Sequence, residues 1–194
     1  MKIILIFDID NNLNIKLYQY FLYKKYIVVG LTNQDTFNYF PNPNLFIRFG
    51  EILNVIDIYN TLNWIIKTWP DYDELQIYHN QNMHSCKIDS FDIPEYALTV
   101  NVIGTVKILE CIRNMNLMSK IKFCNIHMNI NNIDNPNTPY ELSKLSTFNL
   151  IKIYRKKYNS YLYNIVIKNV NNEQNIVEKI ESSMQNITPT DFTL

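Results

Sequence analysis

Tyr140 and Lys144 are four residues apart, so on a helix the phenol and the amine share one face about one turn from each other. That spacing suits a working pair, and it suits equally a tyrosine packed at a helix start with its lysine in solvent. Asp8, Asn11 and Asn14 recur at intervals of three just after an apolar run, where a strand would turn into a helix. Free N–H groups at such a helix start attract anions. Asp and Asn tolerate left-handed backbone better than other non-glycine residues, so a tight turn survives there without glycine. Asp8 and Asp10 are also suited to holding a cation or capping the helix, and capping is the simpler reading. His79, His84 and His127 have no acidic cluster or third ligand beside them in sequence, so no metal site is expected.

These residues need a scaffold, and the sequence describes one. Short β-branched runs at 2–7, 26–31, 44–49, 74–79, 121–126 and 162–167 alternate with segments of helical period, the pattern of βαβ units around a parallel sheet. The expected class is α/β, a Rossmann-type doubly wound parallel sheet. Helices are expected over 12–25 (Leu13, Leu17, Phe21 and Leu22 on one face), over a segment with Ile56, Tyr59, Leu62, Ile65 and Ile66 inward, and over about 94–115 with Asp92 as cap and Pro94 in the first turn. Two more are expected over 139–158 and near 174–184. One domain over 1–185 and a polar tail over 186–194 account for the chain.

Lys plus Arg and Asp plus Glu number 18 each, so no global field steers the protein to nucleic acid or an anionic membrane. No apolar run approaches the ~20 residues that span a bilayer. Cys86, Cys111 and Cys124 form no CxxC pair and are odd in number, which argues against a disulfide framework and for a reducing, cytoplasmic setting. Glycine occurs only three times, at Gly30, Gly50 and Gly104.

Several segments, in order, resemble the extended short-chain dehydrogenase/reductase family, and within it the nucleotide-sugar 4,6-dehydratases. Gly50-Glu51-Ile52 is similar to the family's Gly-Asp-Ile/Leu after the third strand, whose acid faces the adenine. Pro94-Glu95-Tyr96, Asn101-Val102-Ile103-Gly104-Thr105 and Leu109-Glu110 resemble its long central helix, and Thr138-Pro139-Tyr140-Glu141-Leu142-Ser143-Lys144 its Ser-Pro-Tyr-x-x-x-Lys. The resemblance implies NAD or NADP as cofactor and a Tyr140 phenolate, its pKa lowered by Lys144, as general base. It also implies a dimer, with itself or with a full-length relative, through the helices at 94–115 and 139–158.

The same resemblance exposes what has changed. The family's phosphate turn is Gly-x-x-Gly-x-x-Gly, and Asp8, Asn11 and Asn14 fill those places. Thr32 stands where an acid would grip an NAD ribose, and His79 to His84 replace the small residues that pass beneath the dinucleotide. At the end of the fifth strand Met128, Asn129 and Ile130 replace the hydroxyl and the acid/base pair of dehydration, leaving His127 as a conceivable substitute. The substrate lobe that follows the sixth strand in the family is expected to be absent. The expectation is therefore a degenerate relative, a pseudoenzyme that binds no cofactor, in which Tyr140 and Lys144 are vestigial and Asp8, Asn11, Asn14 and Glu51 mark a lost cofactor site. The alternative is residual NAD(P)-dependent chemistry through Tyr140 and Lys144.

Overall fold

The computed structural model describes residues 1–35, 38–80, 90–128, 135–167 and 176–185. Six strands form one parallel sheet: β1 (Lys2–Phe7), β2 (Ile27–Thr32), β3 (Leu45–Phe49), β4 (Glu74–His79), β5 (Ile121–Met128) and β6 (Tyr161–Ile167), in the order β3-β2-β1-β4-β5-β6. The strand order reverses between β1 and β4, as in a Rossmann fold, and in such sheets ligands bind in the crevice beyond the strand ends at that reversal. Register sets the ends side by side: Phe7 is opposite both Leu31 of β2 and His79 of β4.

Ile3, Ile4, Leu5, Ile6 and Phe7 are all fully buried because helices cover both faces of the central strand. On one face α1 (Asn12–Tyr23) contributes Leu13, Leu17 and Phe21, and α6 (Ile176–Gln185) adds Ile180 and Met184. The other face packs against α2 (Val55–Thr68), α4 (Gly104–Asn114) and α5 (Pro139–Tyr158) through Ile58, Leu62, Ile65, Ile108, Ile112 and Ile151. The face expected on α2 is rotated. Ile58, Thr61, Leu62 and Ile65 point inward while Ile56 and Tyr59 are exposed, because a buried Thr61 interrupts the apolar pattern that marks the face.

The helix expected over 94–115 is broken in two. Between α3 (Pro94–Leu98) and α4, residues Thr99–Ile103 form a π-helical turn, a feature that often marks functional sites. Asp92 does not cap it; Ile93 is the cap residue and makes no side-chain cap bond. In the turn the Asn101 carbonyl accepts from the Thr105 hydroxyl at 2.7 Å and the Thr147 hydroxyl at 3.3 Å, and the Asn101 amide donates to Ser143 Oγ at 2.7 Å. These bonds fix α5 against the central helix.

α5 spans the expected residues, and local chemistry explains both ends. Thr138 accepts from the Glu141 amide at 3.1 Å, the Glu141 carboxylate accepts from the Asn137 amide at 2.7 Å, and Pro139 occupies the first turn. Arg155, Lys156 and Lys157 suit the negative end of the dipole, and Asn159 closes the helix in the left-handed conformation. α6 begins at Ile176; residues 174–175 and the tail over 186–194 lie outside the described residues.

Candidate functional site: the crevice at the strand reversal

The turn after β1 keeps its shape without glycine. Asp8 adopts φ 52°, the left-handed conformation expected of a glycine there, while Asn11 is extended at φ −77° and ψ 153°. Ile9, fully buried, packs onto β2 at Gly30, where an added Cβ would lie 2.7 Å from Ile9 Cγ2. Neither Asp8 nor Asp10 caps α1. Asn11 does, accepting from the Asn14 amide at 3.0 Å. Asn14 is fully buried rather than in the crevice: its amide donates to the carbonyls of Phe7 and Asp8, each at 2.9 Å, lashing the helix to the end of β1.

Asn11 also spans the strand reversal. Its Nδ2 donates to the Asn80 carbonyl at 2.9 Å, and Asn80 Nδ2 donates back to Asn11 Oδ1 at 3.5 Å. The loops leaving β1 and β4 are thus joined across the place where a dinucleotide crosses such a sheet. Asn80 belongs to the stretch 79–84 whose polar side chains are expected beneath the dinucleotide; its bond to Asn11 is what sequence reasoning missed. The Phe7–His79 register supplies the missing signal, because it makes the residues after those two strands neighbours.

Asp10 reaches the tip of β2, where Oδ1 accepts from the buried Thr32 hydroxyl at 2.9 Å. A carboxylate therefore does stand beside the β2 tip, delivered by the β1 turn instead of by β2. Glu51 follows β3 and accepts weakly from Asn33 Nδ2 at 3.4 Å. Asp10 and Glu51 both act on the half-buried Asp8 carboxyl, whose pKa is pushed up to about 7, mainly by burial, with Lys144 pulling the other way.

Lys144 is 3 % exposed, so the reading that leaves it in solvent is wrong. Its ammonium lies over the Tyr140 ring, 5.3 Å from the centroid, where the ring's electron-rich face attracts a cation. Burial lowers the Lys144 amine to about 7 against the opposing pull of Asp8. The Tyr140 phenol is raised well above its ordinary value, again by burial. The lowered tyrosine pKa implied by the resemblance is therefore reversed here, since desolvation of the phenolate dominates.

Beneath this pair lie two histidines. His79 and His127 are buried at the ends of β4 and β5, packed edge-on to Phe7 and against Phe148 respectively, and desolvation holds both near pKa 3. His127 Nε2 lies 2.9 Å from Asn125 Nδ2 and 2.8 Å from Asn164 Oδ1, accepting from the first in one tautomer and donating to the second in the other. A neutral imidazole boxed in by amides packs as a core residue, an arrangement that disfavours the reading of His127 as a substitute acid/base. Met128 ends β5, while Asn129, Ile130 and His84 lie outside the described residues. Among the described residues no three His, Cys, Asp or Glu side chains gather to hold a metal. No helix there is long and apolar enough to cross a membrane.

The family model for GDP-mannose 4,6 dehydratase matches residues 16–190. The chain belongs to that family. Relatives include the GDP-mannose 4,6-dehydratase of Yersinia enterocolitica, 26% identical over 75% of this chain and 41% of that protein. The GDP-mannose 4,6 dehydratase of Cricetulus griseus is 25% identical over 87% of this chain and 50% of that protein. The chain thus spans about half the length of the curated relatives it matches. Among solved structures, a short chain dehydrogenase from Burkholderia cenocepacia in complex with NADP superposes with a TM-score of 0.72 at 11% identity, covering 96% of this chain and 85% of that one. WbmH from Bordetella bronchiseptica in complex with NAD+ gives 0.59 at 17% identity, covering 87% and 56%. At such identities these structures support the fold alone.

Proposed function

We propose that this chain is a non-catalytic member of the nucleotide-sugar dehydratase family, a pseudoenzyme that binds no dinucleotide. The observation that carries the reading is the Asn11–Asn80 bridge at 2.9 Å across the strand reversal. It occupies the crossing point of the diphosphate, and the Asn11 side chain takes up the Asn14 N–H at the start of α1. Asp10, at the tip of β2, and the ionised fraction of Asp8 add negative charge to the same turn. Two unit charges ~4 Å apart repel by ~4 kcal/mol at an effective dielectric near 20, on the order of a thousandfold in affinity.

Isothermal titration calorimetry with NAD and with NADP tests this. No heat of binding is expected up to millimolar ligand, and a micromolar Kd with either would overturn the proposal. Residual NAD(P)-dependent chemistry through Tyr140 and Lys144, which their closeness on α5 favours, with the Lys144 amine 5.3 Å from the Tyr140 ring centroid, requires that same binding and stands or falls by the same titration.

The function that remains is interaction. Tyr96, Ile103, Leu142 and Ile153 are exposed apolar side chains on α3, the π turn and α5, the surfaces through which the resemblance implies a dimer. A homodimer, or a heterodimer with a full-length relative, would cover them. Cys111 and Cys124 are buried free thiols, which suits a cytoplasmic protein.

A further inference from the structure

At the end of α1 that points away from the crevice, a carboxylate is enclosed between two helices. Glu181 on α6 is 4 % exposed, and four donors converge on it. Lys24 Nζ and Tyr20 Oη donate to Oε2 at 2.5 and 2.6 Å, Gln185 Nε2 donates to Oε1 at 3.1 Å, and Tyr26 Oη reaches Oε1 at 3.5 Å. Tyr20 and Lys24 stand at the C-terminal, negative end of α1, where a carboxylate is unfavourable unless a cation meets it. Burial works against the charge, yet the bonds from Lys24 and Tyr20 hold the Glu181 carboxyl below its ordinary pKa.

The pattern of α6 explains why a charge is placed among apolar residues. Ile176, Ile180 and Met184 recur every fourth residue on one face, and Val177 lies one turn before Glu181 beside them. A slide of α6 by one turn, about 5.4 Å, would put Ile176 in the place of Ile180 and Ile180 in that of Met184, the deepest apolar positions of the helix at 1 % and 0 % exposure. At these two positions the apolar pattern accepts either seat. The polar contacts do not, because the slide brings Val177 to the place of Glu181 and leaves the Lys24 ammonium and the Tyr20 hydroxyl without their acceptor. We infer that Glu181 is a register lock, the residue that holds α6 in one of two seats a helical turn apart. Buried polar groups fix register between packed helices in this way, and one-turn shifts of an element past its neighbour are a recurring form of conformational switch. The seat bears on the crevice because α1, to which α6 is clasped, carries the Asn11 cap at its other end. The inference goes beyond the non-catalytic reading and does not depend on it.

Hydrogen exchange and NOEs in the full chain test this. Glu181→Gln keeps the shape of the side chain and removes its charge; protection of the α6 backbone amides should fall at least tenfold while that of β1 is unchanged. The double variant Val177→Glu with Glu181→Val moves the carboxylate back by one turn. NOEs from the Tyr20 and Tyr26 rings, which in the parent reach the side chain of residue 181, should then reach residue 177, because the helix follows its carboxylate. Unchanged α6 protection in Glu181→Gln overturns the inference, and so do ring NOEs that stay at residue 181 in the double variant. Lys24→Met decides the matter if the double variant does not fold: it leaves Glu181 buried without its cation and should lower α6 protection at least tenfold, and an unaffected α6 refutes the lock. None of these readouts involves the crevice, so dinucleotide binding by the parent would end the non-catalytic reading and leave this one standing.

Discussion

Gly30 controls the turn that decides this protein's chemistry, although it lies in a different strand. Its backbone is not left-handed, so replacing it with alanine adds no backbone strain, only a methyl group. That methyl would sit 2.7 Å from Ile9 Cγ2 and 2.9 Å from Ile9 Cβ, against an ordinary contact of 3.4 Å or more. A rotamer change cannot relieve a clash with Cβ at 2.9 Å, so the backbone of residues 8–10 must retreat by about 0.5 Å to restore that 3.4 Å contact. The Ile9 amide bond to the Leu31 carbonyl, 3.2 Å, would be stretched and the Asp10–Thr32 bond displaced with it. Overpacking of this kind costs about 1–3 kcal/mol, and in a chain of this size 2 kcal/mol lowers Tm by roughly 4–8 °C. Urea unfolding of Gly30→Ala, Ile9→Ala and the double variant measures it. Ile9→Ala alone should cost about 2–4 kcal/mol, but Gly30→Ala should then add under about 0.5 kcal/mol, a coupling near 2 kcal/mol. If Gly30→Ala proves neutral, or costs as much without the Ile9 side chain as with it, the packing argument for the turn is refuted.

The buried histidines make stability depend on pH. His79 and His127 have folded pKa values near 3, below the ordinary 6.5, so their contribution is complete above about pH 6.5 and is lost as pH falls toward 3. Between pH 7.5 and 5.0 each should withdraw about 2 kcal/mol, read by urea unfolding at the two pH values. A slope that His79→Gln and His127→Gln leave unaltered would show that these imidazoles are not the source. For the proposed dimer, light scattering should report self-association or association with a full-length relative, and Ile153→Glu, which places a carboxylate at a 64 % exposed position, should weaken it at least tenfold. A monomer under all conditions would contradict that surface.

The fold was legible because a parallel sheet buried on both faces leaves continuous apolar runs, such as Ile3 to Phe7, and because α5 announces its start with Thr138, Pro139 and Glu141. Errors came where a polar residue serves the core. Thr61 hid the inward face of α2, and nothing in the residues 94–103 signalled a π turn. In the site, Asp8, Asn11 and Asn14 were identifiable by spacing, but their individual destinations were not. A period of three says which residues share the turn; it does not say that Asn14 points beneath it, that Asn11 crosses to Asn80, or that Asp10 turns to Thr32. The buried Lys144 was equally hidden, since lysine is almost never fully buried and nothing in the local sequence around it marks the burial.

The polar substitutions share one physical logic. Glycines at a phosphate turn leave backbone N–H groups and space unsatisfied until a ligand arrives, a cost the empty protein bears. Two of the replacements remove part of that deficit from within: Asn11 accepts an N–H at the start of α1, and Asn14 donates to the carbonyls of Phe7 and Asp8. A turn satisfied in this way gains stability in the empty state and loses the difference in free energy that a ligand needs in order to bind. Asn11 and Asn14 make hydrogen bonds of 2.9–3.0 Å at this turn, while Asn14 Oδ1 stays buried without a partner, so the satisfaction from within is partial. If the proposed non-catalytic reading holds, restoring affinity for a diphosphate should require breaking Asn11–Asn80 as well as removing the charge of Asp8.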